Sequence, residues 1–174
     1  GGTVSAVDTY VGHLAGSNGA ATVTGAGSSW TGNSFFIGNS GTGTFNVLNS
    51  ATLTANNNTF LGYFAGSTGT PNVDGAGSKF SLTNNKSLWV GGSGFSGTPA
   101  GTGIVNVTNG GTLDMNGSVT YLGVSGGTGT INFDDAKWNP GSAVAVGYSG
   151  TGTVNITNGS IVTLNGQIIL GLSG

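Results

Sequence analysis

Residues 36–47 contain the two motifs that decide the fold, and they read Phe36-Ile37-Gly38-Asn39-Ser40-Gly41-Thr42-Gly43-Thr44-Phe45-Asn46-Val47. The first motif is a pair of apolar residues followed by glycine. The second has the form Gly-Thr-Gly-Thr-x-Asn-x, with apolar residues on both sides of the asparagine. Both motifs recur along the chain, so the sequence is best understood as a repeat.

The first motif occurs seven times, and its copies end at Gly12, Gly38, Gly62, Gly91, Gly123, Gly147 and Gly171. Successive copies lie 24 to 32 residues apart, and 24 is the commonest interval. Close copies of the second motif begin at Gly41, Gly127 and Gly150, with looser copies at Thr68 and Gly101. A third motif is a turn followed by a short strand, and its apolar anchor recurs as Val4, Trp30, Leu53, Phe80, Leu113, Trp138 and Val162.

Three short strands in about 24 residues are too little chain for a domain but suffice for one coil of a β-solenoid. We therefore expect an all-β parallel β-helix of about seven coils, stacked ~4.8 Å apart, with three strands in each coil. The longest insertion is expected between Gly92 and Gly101. Because the chain starts inside the third motif and stops just after Gly171, residues 1–174 are expected to form one segment of a longer array.

Strand alternation predicts which side chains point into the coil. In the second motif the inward pairs are Phe45 and Val47, Val105 and Val107, Ile131 and Phe133, and Val154 and Ile156. The asparagines between them should form an external amide ladder, made of Asn46, Asn72, Asn106, Asn132 and Asn155.

The first motif has two adjacent apolar columns, and alternation prevents both from pointing inward. The second column is aliphatic in every copy and is assigned to the core: Val11, Ile37, Leu61, Val90, Leu122, Val146 and Leu170. Its neighbour must then face outward, with Ala145 and Ile169 at its end. The aromatic part of this outward column is the predicted binding stripe: Tyr10, Phe36, Phe60, Trp89 and Tyr121. Stacked rings suit sugar faces or a lateral partner chain.

Composition excludes several classes of function. Glycine supplies 37 of 174 residues, the chain has only three basic residues, and its formal charge is −2. Such a chain cannot form the basic patch that nucleic acids or anionic lipids require. No apolar run approaches the roughly 18 residues of a membrane span, and without cysteine no disulfide or thiolate metal site can form.

With these motifs in place, the chain resembles the β-strand repeats of bacterial autotransporter passenger domains. The likeness lies in the run from Trp30 through Thr44 and in Asn109-Gly110-Gly111-Thr112-Leu113, and it extends over nearly the whole chain. It implies a right-handed parallel β-helix that is exported to the bacterial cell surface, usually for adhesion, for aggregation, or as a stalk.

No enzyme chemistry emerges from the sequence, so no catalytic residue, metal site or cofactor is expected. Asp74 and Asp134 fall in one outward column, about 10 Å apart by the stacking distance, and inverting glycosidases need roughly 6.5 to 9.5 Å. Solvated turn aspartates explain the pair better. The lysines are scattered, and His13 occupies a variable position typical of an exposed turn.

We expect a non-enzymatic extracellular module that is adhesive or mediates aggregation, with an inert stalk or filament shaft as the alternative. The expected partners are further coils of the same solenoid or an end-to-end neighbour, together with glycans or cell-surface proteins. Ice binding is the weaker alternative, since the threonines of the second motif resemble the regular T-x-T face of some antifreeze solenoids. Here those threonines are expected at a glycine-flanked corner, where unequal insertions would spoil a flat array.

Overall fold

The computed structural model describes residues 1–95 and 97–172, and in these residues all regular structure is β-strand. The strands are β1 (Thr3–Val11), β2 (Asn18–Thr24), β3 (Ser29–Ile37), β4 (Thr42–Leu48), β5 (Thr52–Ala55), β6 (Thr59–Leu61), β7 (Thr68–Asp74), β8 (Lys79–Leu82), β9 (Ser87–Val90), β10 (Thr102–Thr108), β11 (Thr112–Asp114), β12 (Val119–Leu122), β13 (Thr128–Asp134), β14 (Lys137–Asn139), β15 (Ala143–Val146), β16 (Thr151–Thr157), β17 (Ile161–Val162) and β18 (Gln167–Leu170).

All strand pairs are parallel, and the strands form three columns, as a β-solenoid with three strands per coil requires. The first column is the six-stranded sheet β2-β4-β7-β10-β13-β16. The second column contains β5, β8, β11, β14 and β17, and the third contains β6, β9, β12, β15 and β18. The nine-residue strands β1 and β3 each run through both of these columns. The first column has six strands, so the solenoid makes about six turns, close to the seven coils expected. The difference arises because the coil that contains β1 has no strand in the first column.

Equivalent residues of successive coils lie directly above one another. Asn46 pairs with Asn72, and Asn72 with Asn106, although the first pair is 26 residues apart and the second 34. Most of the extra residues are accommodated by the loop between β9 and β10, which is the insertion predicted between Gly92 and Gly101. Ser96 of this loop lies outside the described residues. The register is therefore independent of loop length.

The structure also reveals one repeat copy that the motif search missed. Strand β2 pairs with β4 over seven residues, so that Asn18-Gly19-Ala20 matches Thr42-Gly43-Thr44. Both threonines of this copy are replaced, which hides the motif in the sequence, whereas the glycine is retained.

The predicted inward columns form the hydrophobic core. Phe45, Val47, Val105, Val107, Ile131 and Phe133 are buried, as are the first five members of the aliphatic column that begins at Val11. The apolar anchors of the second column pair in register from Val4 to Val162. These results confirm the assignment of inward faces over the covered coils.

Burial of the core columns is lost only in the terminal coils, which have a neighbouring coil on one side alone. Val4 is exposed in the first coil. Ile156, Ile168 and Leu170 are exposed although they occupy core columns. With Trp138, Val144, Val146, Val154 and Val162 they line an apolar cavity of about 300 Å³ at this end of the core. Ser173 and Gly174 lie outside the described residues. In the described part of the chain, no helix is long and apolar enough to span a membrane.

The external amide ladder forms as predicted. Asn72 Nδ2 donates to Asn46 Oδ1 at 2.8 Å, and the same bond recurs at 2.9, 2.9 and 2.8 Å up to Asn155. At its lower end Asn46 donates to Thr22 Oγ1 at 3.2 Å. Each amide therefore satisfies its neighbour on the outside of the sheet, and the chain of bonds runs along the whole first column.

The glycine of the first motif is required for two separate reasons. Gly62 has a φ of +66°, which a residue with a Cβ adopts only at a cost. A Cβ built on Gly62 would also lie 2.2 Å from the carbonyl oxygen of Thr102 in the next coil. Across the same corner, a Cβ on Gly69 would lie 1.9 Å from the carbonyl oxygen of Ile37. The coil turns this corner with backbone packed against backbone.

We predict that Gly62→Ala destabilises the protein more than Gly66→Ala. Both glycines have positive φ, but a Cβ on Gly66 meets no atom within 4 Å. Gly66→Ala should therefore cost about 1–2 kcal/mol of backbone strain, and Gly62→Ala should add about 1–3 kcal/mol for overpacking. Urea unfolding of the two variants measures the difference. Equal free energies of unfolding would contradict the packing argument.

Candidate binding surface

The predicted stripe lies on the outer side of the third column. Pairing between strands places Tyr10 beside Phe36, Phe36 beside Phe60, Phe60 beside Trp89, and Trp89 beside Tyr121. The residues on either side of Phe60, Thr59 and Leu61, are fully buried. Alternation therefore directs the Phe60 ring away from the core, and the same holds for its equivalents.

The five rings form one continuous stack. From Tyr10 to Tyr121 the successive ring centroids are 4.7, 5.1, 6.2 and 4.4 Å apart, and the rings are inclined by only 4 to 16°. The strand spacing imposes this arrangement, because equivalent side chains are about 4.8 Å apart. Neighbouring rings consequently cover one another's faces, and the stack presents mainly ring edges to its surroundings.

A second tier of aromatic residues packs edge-on against the stack. Tyr63 contacts Phe36 and Phe60 with centroid distances of 5.5 and 5.1 Å, and Tyr148 contacts Tyr121 at 5.6 Å. His13 makes the same kind of contact with Tyr10 at 4.7 Å. This tier was not predicted from the sequence. The sequence signal for this tier is an aromatic residue directly after the glycine of the first motif. It occurs in three of the copies, as His13, Tyr63 and Tyr148.

Two phenylalanines extend the second tier outward. Phe95, from the insertion between β9 and β10, contacts Trp89, Tyr121 and Tyr148 at 4.8, 5.3 and 5.2 Å. Phe64 packs on Tyr63 at 4.7 Å. We define the aromatic surface as the nine phenylalanine, tyrosine and tryptophan residues connected in this way: Tyr10, Phe36, Phe60, Tyr63, Phe64, Trp89, Phe95, Tyr121 and Tyr148. It contains all four tyrosines of the chain.

Solvent reaches the members of the aromatic surface very unequally. Phe95 is 61% exposed, Tyr10 47% and Phe64 40%, whereas Trp89 is only 5% exposed. Phe36, Phe60 and Tyr121 are half-buried. The expectation of an open stripe is thus wrong for Trp89, because stacked neighbours cover its faces and Phe95 packs on its edge. Ala145, farther along the same column, is also buried rather than open to solvent. The accessible rings are mostly those of the second tier.

Burial leaves two polar groups of this surface in unusual settings. Trp89 Nε1 is buried without a hydrogen-bond partner. Burial, and then the neighbouring Tyr148 phenol, raises the pKa of Tyr121 above its usual range. Both effects follow from packing polar aromatic groups beneath other rings rather than in water.

The two aspartates considered for catalysis are hydrogen-bond acceptors within the solenoid. Asp74 Oδ1 accepts from the Thr108 hydroxyl at 2.6 Å and from Asn109 Nδ2 at 2.7 Å. Asp134 Oδ1 accepts from Thr157 and Asn158 in the same way. The Thr108 bond, followed by the Asn109 bond, lowers the pKa of Asp74. Each carboxylate thus ties its strand end to the turn of the next coil.

The threonines of the second motif lie on the outer face of the first column, which corrects their expected placement at a corner. Thr42 and Thr44 are inside strand β4. The column of Thr42 continues in register to Thr151, and that of Thr44 continues to Thr153 with Ile104 in place of a threonine in β10. The longest insertion lies outside this sheet, between β9 and β10, and does not disturb it. The insertion therefore leaves the threonine columns in register, contrary to the expectation that unequal insertions would spoil a flat array.

The remaining charged groups are dispersed. Lys79 Nζ and Asp114 Oδ2 form an ion pair at 2.5 Å. His13 is exposed, and its carbonyl oxygen accepts from Asn39 Nδ2 at 3.1 Å. Among residues 1–95 and 97–172, no three histidine or aspartate side chains are grouped as ligands of one metal ion.

Comparison of the chain with protein-family models, with curated proteins and with solved structures gives no match. The aromatic surface and its surroundings therefore provide the evidence on function.

We predict that Thr108→Val raises the pKa of Asp74 toward its usual value, because the variant removes the strongest donor to the carboxylate. In the wild type the pKa of Asp74 is lower in the native protein than in the unfolded chain. The ionised Asp74 carboxylate therefore stabilises the native state fully at pH values above the unfolded pKa, and this stabilisation is lost as the pH falls through the native pKa. NMR titration of the Asp74 carboxyl measures the shift. Identical titration curves in the two proteins would contradict the assignment.

Proposed function

We propose that the chain is a non-enzymatic, extracellular repeat module of a bacterial surface protein, of the autotransporter passenger type, and that it adheres through the aromatic surface. The observation that carries this proposal is the outer tier of that surface. Phe95 and Phe64 project into solvent although neither belongs to the core or to the ring stack. Exposed rings of this kind, joined into one apolar patch, are typical of interaction sites.

Stability alone does not account for this second tier. The core is filled by the inward columns, and the coils are held by backbone pairing and by the amide ladder. Phe95 adds little to either, because most of its ring remains in water. An exposed aromatic ring gains free energy only when something covers it, at ~25 cal/mol per Å² of apolar area removed from water. A binding role therefore suits this residue better than a packing role.

The positions of the aspartates support a non-enzymatic module. A general acid or base must reach a proton of its substrate. The carboxylates of Asp74 and Asp134 already accept two hydrogen bonds each from the next coil.

The open end of the hydrophobic core supports a second kind of partner, namely another coil of the same fold. The apolar cavity beside Ile156, Ile168 and Leu170 has the column pattern of a normal coil-to-coil junction. Another coil of the same fold, from the same solenoid or from an end-to-end neighbour, would cover these side chains and continue the parallel pairing. We include such a coil among the proposed partners.

We predict that Phe64→Ser with Phe95→Ser lowers binding to target cells about tenfold or more, since interface aromatics often contribute most of the binding energy. Both side chains are exposed, so the fold and the Tm should change little. Trp89→Ser is unsuitable, because that ring is packed between Phe60 and Tyr121. Cell-binding assays with circular dichroism on each variant provide the measurement.

The matched control is Val7→Ser, which removes an exposed apolar side chain that lies outside the aromatic surface. It should bind like the wild type. If the double variant also binds normally, the aromatic surface serves packing alone. If the wild-type protein binds no cells, the chain is better described as an inert stalk or filament shaft.

Ice binding is a second candidate, favoured by the outer face of the first column. Thr42, Thr128 and Thr151 are exposed. In the parallel column Thr153 is exposed, Thr44, Thr70 and Thr130 are half-buried, and Ile104 replaces a threonine in β10. Spacings of ~4.8 Å across strands and ~6.8 Å along them make the array regular in two directions. It resembles the T-x-T face of antifreeze solenoids more closely than the sequence indicated.

For this candidate we predict thermal hysteresis in the wild-type protein and its loss in Thr130→Lys, which inserts a long charged side chain into the middle of the array. Tyr63→Lys, on the aromatic surface, is the control and should retain the activity. A freezing point equal to the melting point in the wild type would eliminate ice binding and leave adhesion unaffected.

A further inference from the structure

A second row of outward side chains runs beside the ring stack, two residues earlier on each strand of the third column. In the first four coils this row is polar, and it consists of Asp8, Ser34, Asn58 and Ser87. Asp8 pairs with Ser34, while Asn58 and Ser87 directly precede the paired residues Thr59 and Leu88. We call these four residues the polar row.

The polar row and the ring stack share one face of the solenoid. The residues between them, Thr9, Phe35, Thr59 and Leu88, are buried, so both rows point outward. Each of the first three coils therefore presents an accessible ring edge and a polar side chain ~6.8 Å apart, repeated every ~4.8 Å along the axis. In the fourth coil Ser87 continues the polar row, whereas the Trp89 ring is covered. Beyond the fourth coil the pattern ends, because Val119 and Ala143 occupy the row.

The polar row retains unused hydrogen-bonding capacity. Asp8 Oδ1 accepts from the Ser34 amide at 3.1 Å, and Asn58 Oδ1 accepts from the Ser87 amide at 2.9 Å. These bonds fix the carboxylate and the amide group in place. The Ser34 and Ser87 hydroxyls and Asn58 Nδ2 have no hydrogen-bond partner among the described residues, and all three side chains are half-buried. A ligand on this face would meet orientated donors and acceptors beside apolar rings.

From this juxtaposition we infer that the ligand of the aromatic surface is a neutral polysaccharide, lying along the solenoid axis over coils one to four. The inference rests on the proposed adhesive function. A sugar carries apolar C–H groups for the rings, and it carries hydroxyls that both donate and accept hydrogen bonds for the polar row. Ring edges, which the stack presents, are electropositive and therefore attract hydroxyl and ether oxygens.

The repeat and the charge favour the same ligand. A polysaccharide repeats along its length as the solenoid does, so successive sugars can meet equivalent groups in successive coils. Asp8 is the one charged residue in the two rows, which gives an anionic polymer nothing to pair with. A protein partner with an apolar hot spot would bury the Ser34 and Ser87 hydroxyls without partners, at a cost in affinity.

The first experiment identifies the ligand class with the intact chain. Target cells are treated with periodate, which cleaves the vicinal diols of sugars, or with protease, and binding of the wild-type protein is compared. We expect periodate to abolish binding and protease to leave it. Direct binding to mannan, dextran and amorphous cellulose is measured in parallel. Binding that survives periodate and is lost after protease would overturn the inference and indicate a protein partner.

The second experiment tests the polar row. Ser34→Ala with Ser87→Ala removes two hydroxyls while keeping every ring, and we expect binding to fall about tenfold. Thr44→Val with Thr70→Val removes two hydroxyls from the outer face of the first column and should change binding by less than about twofold. Normal binding by the serine variant would overturn the role of the row.

The two proposals fail in different ways. If the Phe64→Ser, Phe95→Ser variant loses binding but binding resists periodate, adhesion by the aromatic surface stands and the polysaccharide inference falls. If that aromatic variant and the wild type bind cells equally, the proposed function itself is wrong, and the polysaccharide inference falls with it.

Discussion

The structure depends on backbone pairing between successive parallel coils, and that pairing requires the coils to approach closely at their corners. Gly62 and Gly69 make this approach possible, since a Cβ at either position would collide with a carbonyl of an adjacent coil. Once the corner is closed, the strand spacing fixes the distance between equivalent side chains. The amide ladder and the ring stack are both consequences of that single spacing.

The same spacing has opposite effects on polar and aromatic side chains. Stacked asparagines satisfy one another, as Asn72 and Asn46 do at 2.8 Å, so the asparagine ladder on the outer face of the first column is neutral and internally bonded. Stacked rings shield one another, as Trp89 and Tyr121 do at 4.4 Å, so a stripe that the pattern predicts to be open becomes partly buried. Regular repetition therefore stabilises the columns while reducing the surface they offer to a partner.

How much could be predicted from the sequence follows from the same physics. The inward column of Ile37 and Leu61 and the asparagine ladder depend only on strand alternation and period, and both were predicted correctly. The burial of Trp89 was not, because it depends on Phe95, which lies in an insertion that no period describes. The copy in β2 was missed for a related reason, since Ala20 replaces the motif threonine while the backbone register is unchanged.

The candidate site therefore lies where the chain departs from its repeat. A strict copy of the 24-residue unit would give a uniform rod with an occluded stack, and nothing on it would distinguish one coil from another. The insertion between β9 and β10 adds Phe95 without altering the register of Asn72 and Asn106. Likewise, the change from Ser87 to Val119 ends the polar row without disturbing the pairing of β9 with β12. Because backbone pairing maintains the fold, side chains and loops on the outer face are free to vary, and selection for binding can act there coil by coil.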